Sequence, residues 1–146
     1  MNKAKINLLA IAVAATLSAC SQQPDQAKVR EDVAKAQADG QKKVADAQAK
    51  LEKVRAETTN AAANDAGSPN AGGPTQPMAA DTKVADAEFD VDKARAAADY
   101  GVANAQCEAQ VGDTEKACKD SAKSKYDAAV AAAKQKNDQA RQRGSG

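Results

Sequence analysis

Along residues 29–54, apolar or small side chains recur at Val29, Val33, Ala36, Gly40, Val44, Ala47, Leu51 and Val54. The steps are three or four residues, which is a heptad seam on one helical face with a single four-residue insertion. Ala, Lys, Gln, Glu and Arg fill the positions between, and all are good helix formers. The spacing predicts one long helix over 27–59. Gly40 is its weak point, costing ~1 kcal/mol against alanine in a helix interior. The seam is also narrow. Hydrophobic residues make up 42% of the chain, yet most of them are alanine. Phe89, Tyr100 and Tyr126 are the only aromatics. A thick core cannot be assembled from this inventory, so the expected fold is all-α, with thin helices packed closely.

Two internal repeats run through the seam. Residues 33–42 (VAKAQADGQK) return eleven residues later as 44–53 (VADAQAKLEK). An eleven-residue period is 3.67 residues per turn, so the stripe runs nearly straight or slightly right-handed. Lys43 to Gln48 (KVADAQ) then matches Lys83 to Glu88 (KVADAE), with Leu51 and Val54 at the places of Val91 and Ala94. Duplication and drift within a low-complexity, alanine-rich chain both explain the match.

Residues 60–80 break the pattern. Gly67, Gly72, Gly73, Pro69, Pro74 and Pro77 fall there among Asn, Ala and Ser, and the composition predicts a flexible linker. A helical hairpin is expected over 81–140, followed by a frayed tail over 141–146. Its first helix starts near Asp81 or Thr82, either suited to an N-cap, and runs to about Gln110. It carries two roughly opposite stripes. One is Val84, Ala87, Val91, Ala94, Ala98, Val102 and Ala105; the other is Phe89, Ala96, Tyr100, Ala103 and Cys107. The turn at Val111-Gly112-Asp113-Thr114 suits a helix stop and a new cap. The second helix follows from about Glu115 to Gln139. In such a hairpin Tyr100 and Tyr126 lie at similar height. The stripe holding Val84, Val91 and Val102 faces away from the hairpin, and needs cover from the first helix, another copy or a partner.

The N-terminus reads as a targeting segment. Lys3 and Lys5 precede an apolar run over 6–16 that is shorter than the ~20 residues a transmembrane helix needs. Leu17, Ser18 and Ala19 then lead into Cys20. This layout is that of a secretory signal over 1–19, and the Leu-Ser-Ala-Cys quartet resembles the lipobox of bacterial lipoproteins. The resemblance implies cleavage before Cys20, a diacylglycerol on its sulfur, and acylation of the new amine, palmitate being typical. Residues 20–26 become a lipidated tether. Several acyl chains hold a protein firmly, at ~0.8 kcal/mol per buried methylene. With Ser21 rather than Asp after the cysteine, the same resemblance implies an outer-membrane anchor facing the periplasm.

With Cys20 assigned to lipid, Cys107 and Cys118 remain as a pair. In an oxidising periplasm a pair is expected to be a disulfide. A redox or metal role is disfavoured by the lack of C-x-x-C spacing and of any histidine. The region Tyr100 to Lys134, with Cys107, Val111-Gly112-Asp113, Lys116, Cys118 and Ala122-Lys123, is similar to small alanine- and lysine-rich envelope proteins of proteobacteria. The long Ala/Lys helices also resemble, loosely, the helical stalk of the Tol system's periplasm-spanning protein. These likenesses imply location and architecture rather than an activity.

The functional expectation is a structural or interaction lipoprotein of the envelope, without enzymatic activity and with no cofactor or metal. Its partners would be the membrane, through acyl chains on Cys20, and either a second copy or an envelope protein. The net charge of +1 falls to about −1 without Lys3 and Lys5, and nucleic-acid binding needs a concentrated basic surface instead. The murein lipoprotein shares the lipidated cysteine and helical body. This chain ends in Arg-Gly-Ser-Gly rather than lysine, so covalent peptidoglycan attachment is not expected. Two other readings stand beside this one. The eleven-residue repeats resemble those of late-embryogenesis-abundant stress protectants, which implies disorder in dilute solution. An adaptor subunit of an envelope complex would use the valine stripe to hold its partner.

Overall fold

A computed structural model describes residues 25–66 and 75–143. The described residues form three helices and no strand: α1 over Gln26–Ala66, α2 over Thr75–Cys107 and α3 over Asp113–Arg143. Consecutive helices run antiparallel. α2 is the centre of the arrangement, packing against α1 on one side and α3 on the other, while α1 and α3 do not pack against each other. The fold is therefore a layer of three helices rather than a triangular bundle. A triangular bundle needs one apolar stripe per helix. Here α2 has two, so it is flanked on both.

Local chemistry explains the helix ends. Asp25 caps α1, its Oδ1 accepting from the backbone N–H of Ala27 at 2.9 Å. α2 closes through three short-range backbone bonds, with Glu108, Ala109 and Gln110 donating to Ala105, Gln106 and Cys107. Such i→i−3 bonds tighten a last turn. Gly112 has φ +62°, a left-handed value that glycine adopts without steric cost. Its carbonyl accepts the N–H of Lys116 at 3.2 Å, and the Thr114 hydroxyl donates to Val111 O at 2.7 Å. Gly112 thus begins α3 rather than stopping α2, and the cap expected at Asp113 or Thr114 falls one residue earlier. Asp113 and Glu115 in the first turn and Arg141 and Arg143 in the last both oppose the helix macrodipole.

The linker expected over 60–80 is corrected at both flanks. Residues 60–66 continue α1, and 75–80 already belong to α2. Pro77 is accommodated because the first turn of a helix needs no backbone donor from it. Residues 67–74 lie outside the described residues. The tail expected to fray from Arg141 is helical to Arg143, and the rest of it, 144–146, also lies outside the description.

The core is small. Leu51 of α1 and Ala87 and Val91 of α2 form its buried cluster, flanked by Ala47, Val54 and Val84. The 40-residue repeat explains this pairing. The match continues past Gln48/Glu88 to Lys53/Lys93, Arg55/Arg95 and Ala56/Ala96. In the antiparallel pair the two copies meet: Leu51 and Val91, which are equivalent, share one cluster, and equivalent Lys50 and Asp90 pair at 2.6 Å. α1 and α2 are therefore related by an internal approximate two-fold centred near Leu51 and Val91.

Further along the same seam Gly40 meets Ala98. A Cβ built on Gly40 would lie 2.7 Å from the Ala98 Cβ and 3.1 Å from its Cα. Glycine is there because the two backbones approach too closely for any side chain. It is not the weak point its helix propensity suggests. Gly40→Ala brings overpacking worth ~1–3 kcal/mol against a propensity gain of ~1 kcal/mol. Thermal unfolding followed by circular dichroism should show a lowered midpoint for Gly40→Ala and recovery in Gly40→Ala/Ala98→Gly. A midpoint raised by Gly40→Ala alone would contradict the close approach.

Candidate functional site

The α2–α3 hairpin is held at its turn by a covalent bond. Cys107 and Cys118 form a disulfide with Cα atoms 5.6 Å apart, and Cys107 is 1% exposed. Seven and eight residues from the cysteines, Tyr100 and Tyr126 meet with ring centroids 5.4 Å apart and planes tilted by 38°. That separation is within the range in which aromatic pairs attract beyond their area burial. Ala96, Ala122 and Ala133 are buried along the same contact, where small side chains allow the helices to approach.

At the far end of the hairpin a polar cluster replaces apolar packing. Asp86 accepts from Arg141 Nε at 3.0 Å, from Arg141 Nη2 at 2.8 Å and from Asn137 Nδ2 at 3.1 Å. The Arg141 hydrogen bonds hold the Asp86 carboxyl below its ordinary value of 3.8, opposed by partial burial and helped by Asn137. Lys136 also reaches across to Asp92 at 3.2 Å. Arg141 thus closes the hairpin from a position that the sequence pattern assigned to a tail.

The valine stripe is covered by α1. Val91 is buried and Val84 half-buried against Leu51, Ala47 and Val54. Val102 is half-buried beside Val44 in a groove between α1 and α2. The structure brings Cys107 and Cys118 together, then Tyr100 and Tyr126, and sets Val84, Val91 and Val102 on the opposite face of α2. Leu17, Ser18, Ala19 and Cys20 lie outside the described residues.

Because α1 and α3 flank α2 without meeting, one face of α2 forms the floor of an open trough. Arg95, Asp99, Ala103 and Gln106 lie on that floor. On the α1 side the trough is a groove of ≈ 810 Å³, walled by Gln37, Gln41, Val44, Ala45 and Gln48. A second pocket of ≈ 440 Å³ sits at the internal two-fold. It is lined by equivalent pairs, Gln48 with Glu88, Leu51 with Val91, Glu52 with Asp92 and Arg55 with Arg95, and by Lys136 of α3. Sequence reasoning missed these groups because they are the polar residues beside each stripe. The only signal for them was the 40-residue offset of the repeat.

Among the described residues no cluster of three or more Cys, Asp or Glu could hold a metal ion, and no polar or charged residue is buried. No described helix is long and apolar enough to cross a membrane. No family model, no curated protein and no solved structure matches the chain.

Two measurements check the hairpin. Closing so short a loop contributes ~3 kcal/mol in the chain-entropy treatment, so reductant should lower the thermal midpoint of the native chain and leave that of Cys107→Ala/Cys118→Ala unchanged. The Asp86 contribution is present above its unfolded value near 3.8 and is lost as pH falls through the lower folded value. Acid titration of Asp86→Asn should therefore lack a destabilising component that the native chain shows below about pH 4. Identical acid profiles would remove Arg141 from the account.

Proposed function

We propose that the chain is a lipid-anchored helical protein of the bacterial envelope with a structural or interaction role and no enzymatic activity. Acyl chains on Cys20 hold it to the outer membrane, and the helical body projects into the periplasm. The observation that carries this reading is the Leu17-Ser18-Ala19-Cys20 quartet at the end of a short basic-then-apolar segment. The disulfide is in keeping with a protein matured in an oxidising compartment. α1 is the arm next to the anchor. Its 41 residues reach about 60 Å at ~1.5 Å per residue.

The stress-protectant reading draws on the eleven-residue repeats. It is less favoured, since a chain that works unfolded has no use for a glycine matched to one alanine across a helix seam. The adaptor reading no longer needs the valine stripe as its docking surface, because α1 occupies that face.

Cells expressing the native chain and Cys20→Ser, fed radiolabelled palmitate, test the anchor. Label should enter the native chain and sediment with outer-membrane vesicles. Cys20→Ser should lose the label. Equal labelling of both, or a native chain found unlabelled in the soluble periplasmic fraction, would overturn the anchor.

A further inference from the structure

The groove between α1 and α2 holds two exposed charges, one with a single long ion pair and one with no ion pair among the described residues. Arg55 and Arg95 are equivalent across the internal two-fold, but their surroundings differ at one position. Arg55 has Glu88 across the seam at 2.9 Å. In the corresponding place opposite Arg95 stands Gln48, which is uncharged. Among the described residues Arg95 has one ion-pair partner, Asp92, whose Oδ1 lies 3.7 Å away while its Oδ2 accepts from Lys136 at 3.2 Å. The Arg95 side chain is 55% exposed. One turn further, Asp99 lines the same groove and has no hydrogen bond or ion pair among the described residues. Arg95 and Asp99 do not pair with each other.

We propose that this groove binds a short peptide through paired charges. Arg95 takes a carboxylate and Asp99 takes an ammonium about one helical turn away. The carboxamides of Gln41 and Gln48 complement peptide backbone, since each offers both a donor and an acceptor. Val44 and Val102 supply apolar contact. The groove's ≈ 810 Å³ falls within the ~300–1,000 Å³ of small-ligand sites. From Arg95 to Gln106 it runs about 17 Å at ~1.5 Å per residue, the length of roughly five extended residues. A phosphate would meet the Asp99 carboxylate. A neutral sugar would use neither charge, and no aromatic side chain lines the groove to stack on it. A zwitterionic peptide uses both charges. This inference goes beyond the envelope reading and does not rest on it.

Isothermal titration of the full chain in detergent micelles tests it. The probe is the peptide Ala-Ala-Lys-Ala-Ala with a free carboxyl end, compared with its C-terminal amide and with Ala-Ala-Gln-Ala-Ala. Saturable binding of the probe is expected, weakened for both comparison peptides. Arg95→Gln should weaken the probe by up to about fivefold, the scale of one exposed ion pair, and erase the preference for the free carboxyl end. Asp99→Asn should erase the preference for lysine over glutamine. Lys116→Gln, on the exposed start of α3, should change nothing. Three results would overturn the proposal: no saturable heat at millimolar probe, equal binding of the three peptides, or inorganic phosphate alone binding as well as the peptide. The peptide comparison on the native chain decides the matter even if a variant fails to fold.

Discussion

The contact between Gly40 and Ala98 sets how near α1 lies to α2, and the rest of the structure depends on that distance. With alanine as the main apolar residue, burial is worth little unless backbones approach closely. Removing one Cβ at the crossing permits that approach. It also brings Leu51, Ala87 and Val91 together as a buried cluster. On the other face of α2 the same problem is solved differently. Ala96, Ala122 and Ala133 thin the contact, Tyr100 and Tyr126 supply its one aromatic pair, and a disulfide fixes its end.

The internal two-fold gives this thin fold its register. Alanine seams alone specify register poorly, since neighbouring alanines are interchangeable. Charges beside the seam distinguish them. Lys50 meets Asp90 and Arg55 meets Glu88, while pairing either helix with a copy of itself would set Lys50 against Lys50 or Asp90 against Asp90. Each such surface pair is worth only ~0–1 kcal/mol. Several acting on one register can select it without adding much stability. Where the two-fold would set an acid opposite Arg95 the chain has Gln48, so Arg95 lacks the cross-helix partner that Arg55 has in Glu88.

Much of the fold was legible in the sequence because helices announce themselves by period. The two stripes of α2 separated the α1 face from the α3 face, and the turn chemistry at Gly112 located the hairpin. At the C-terminal flank of the linker Pro77 sits in a first turn that tolerates it, and the N-terminal flank, 60–66, holds neither glycine nor proline and continues α1. Gly40 was misread because propensity describes an isolated helix, and its neighbour Ala98 lies 58 residues away. The surroundings of Arg95 and Asp99 were invisible for a related reason. A charge on a helix looks solvated and paired until its surroundings across the seam are known.

Native-state hydrogen exchange, read residue by residue, tests the central claim most directly. A layer with α2 between two helices predicts the slowest amides in α2, near Val91 and Ala96. α1 and α3 should exchange faster, each opening without the other. Equal protection in all three helices would contradict the layered arrangement, and exchange at unfolded rates throughout would contradict a packed fold altogether.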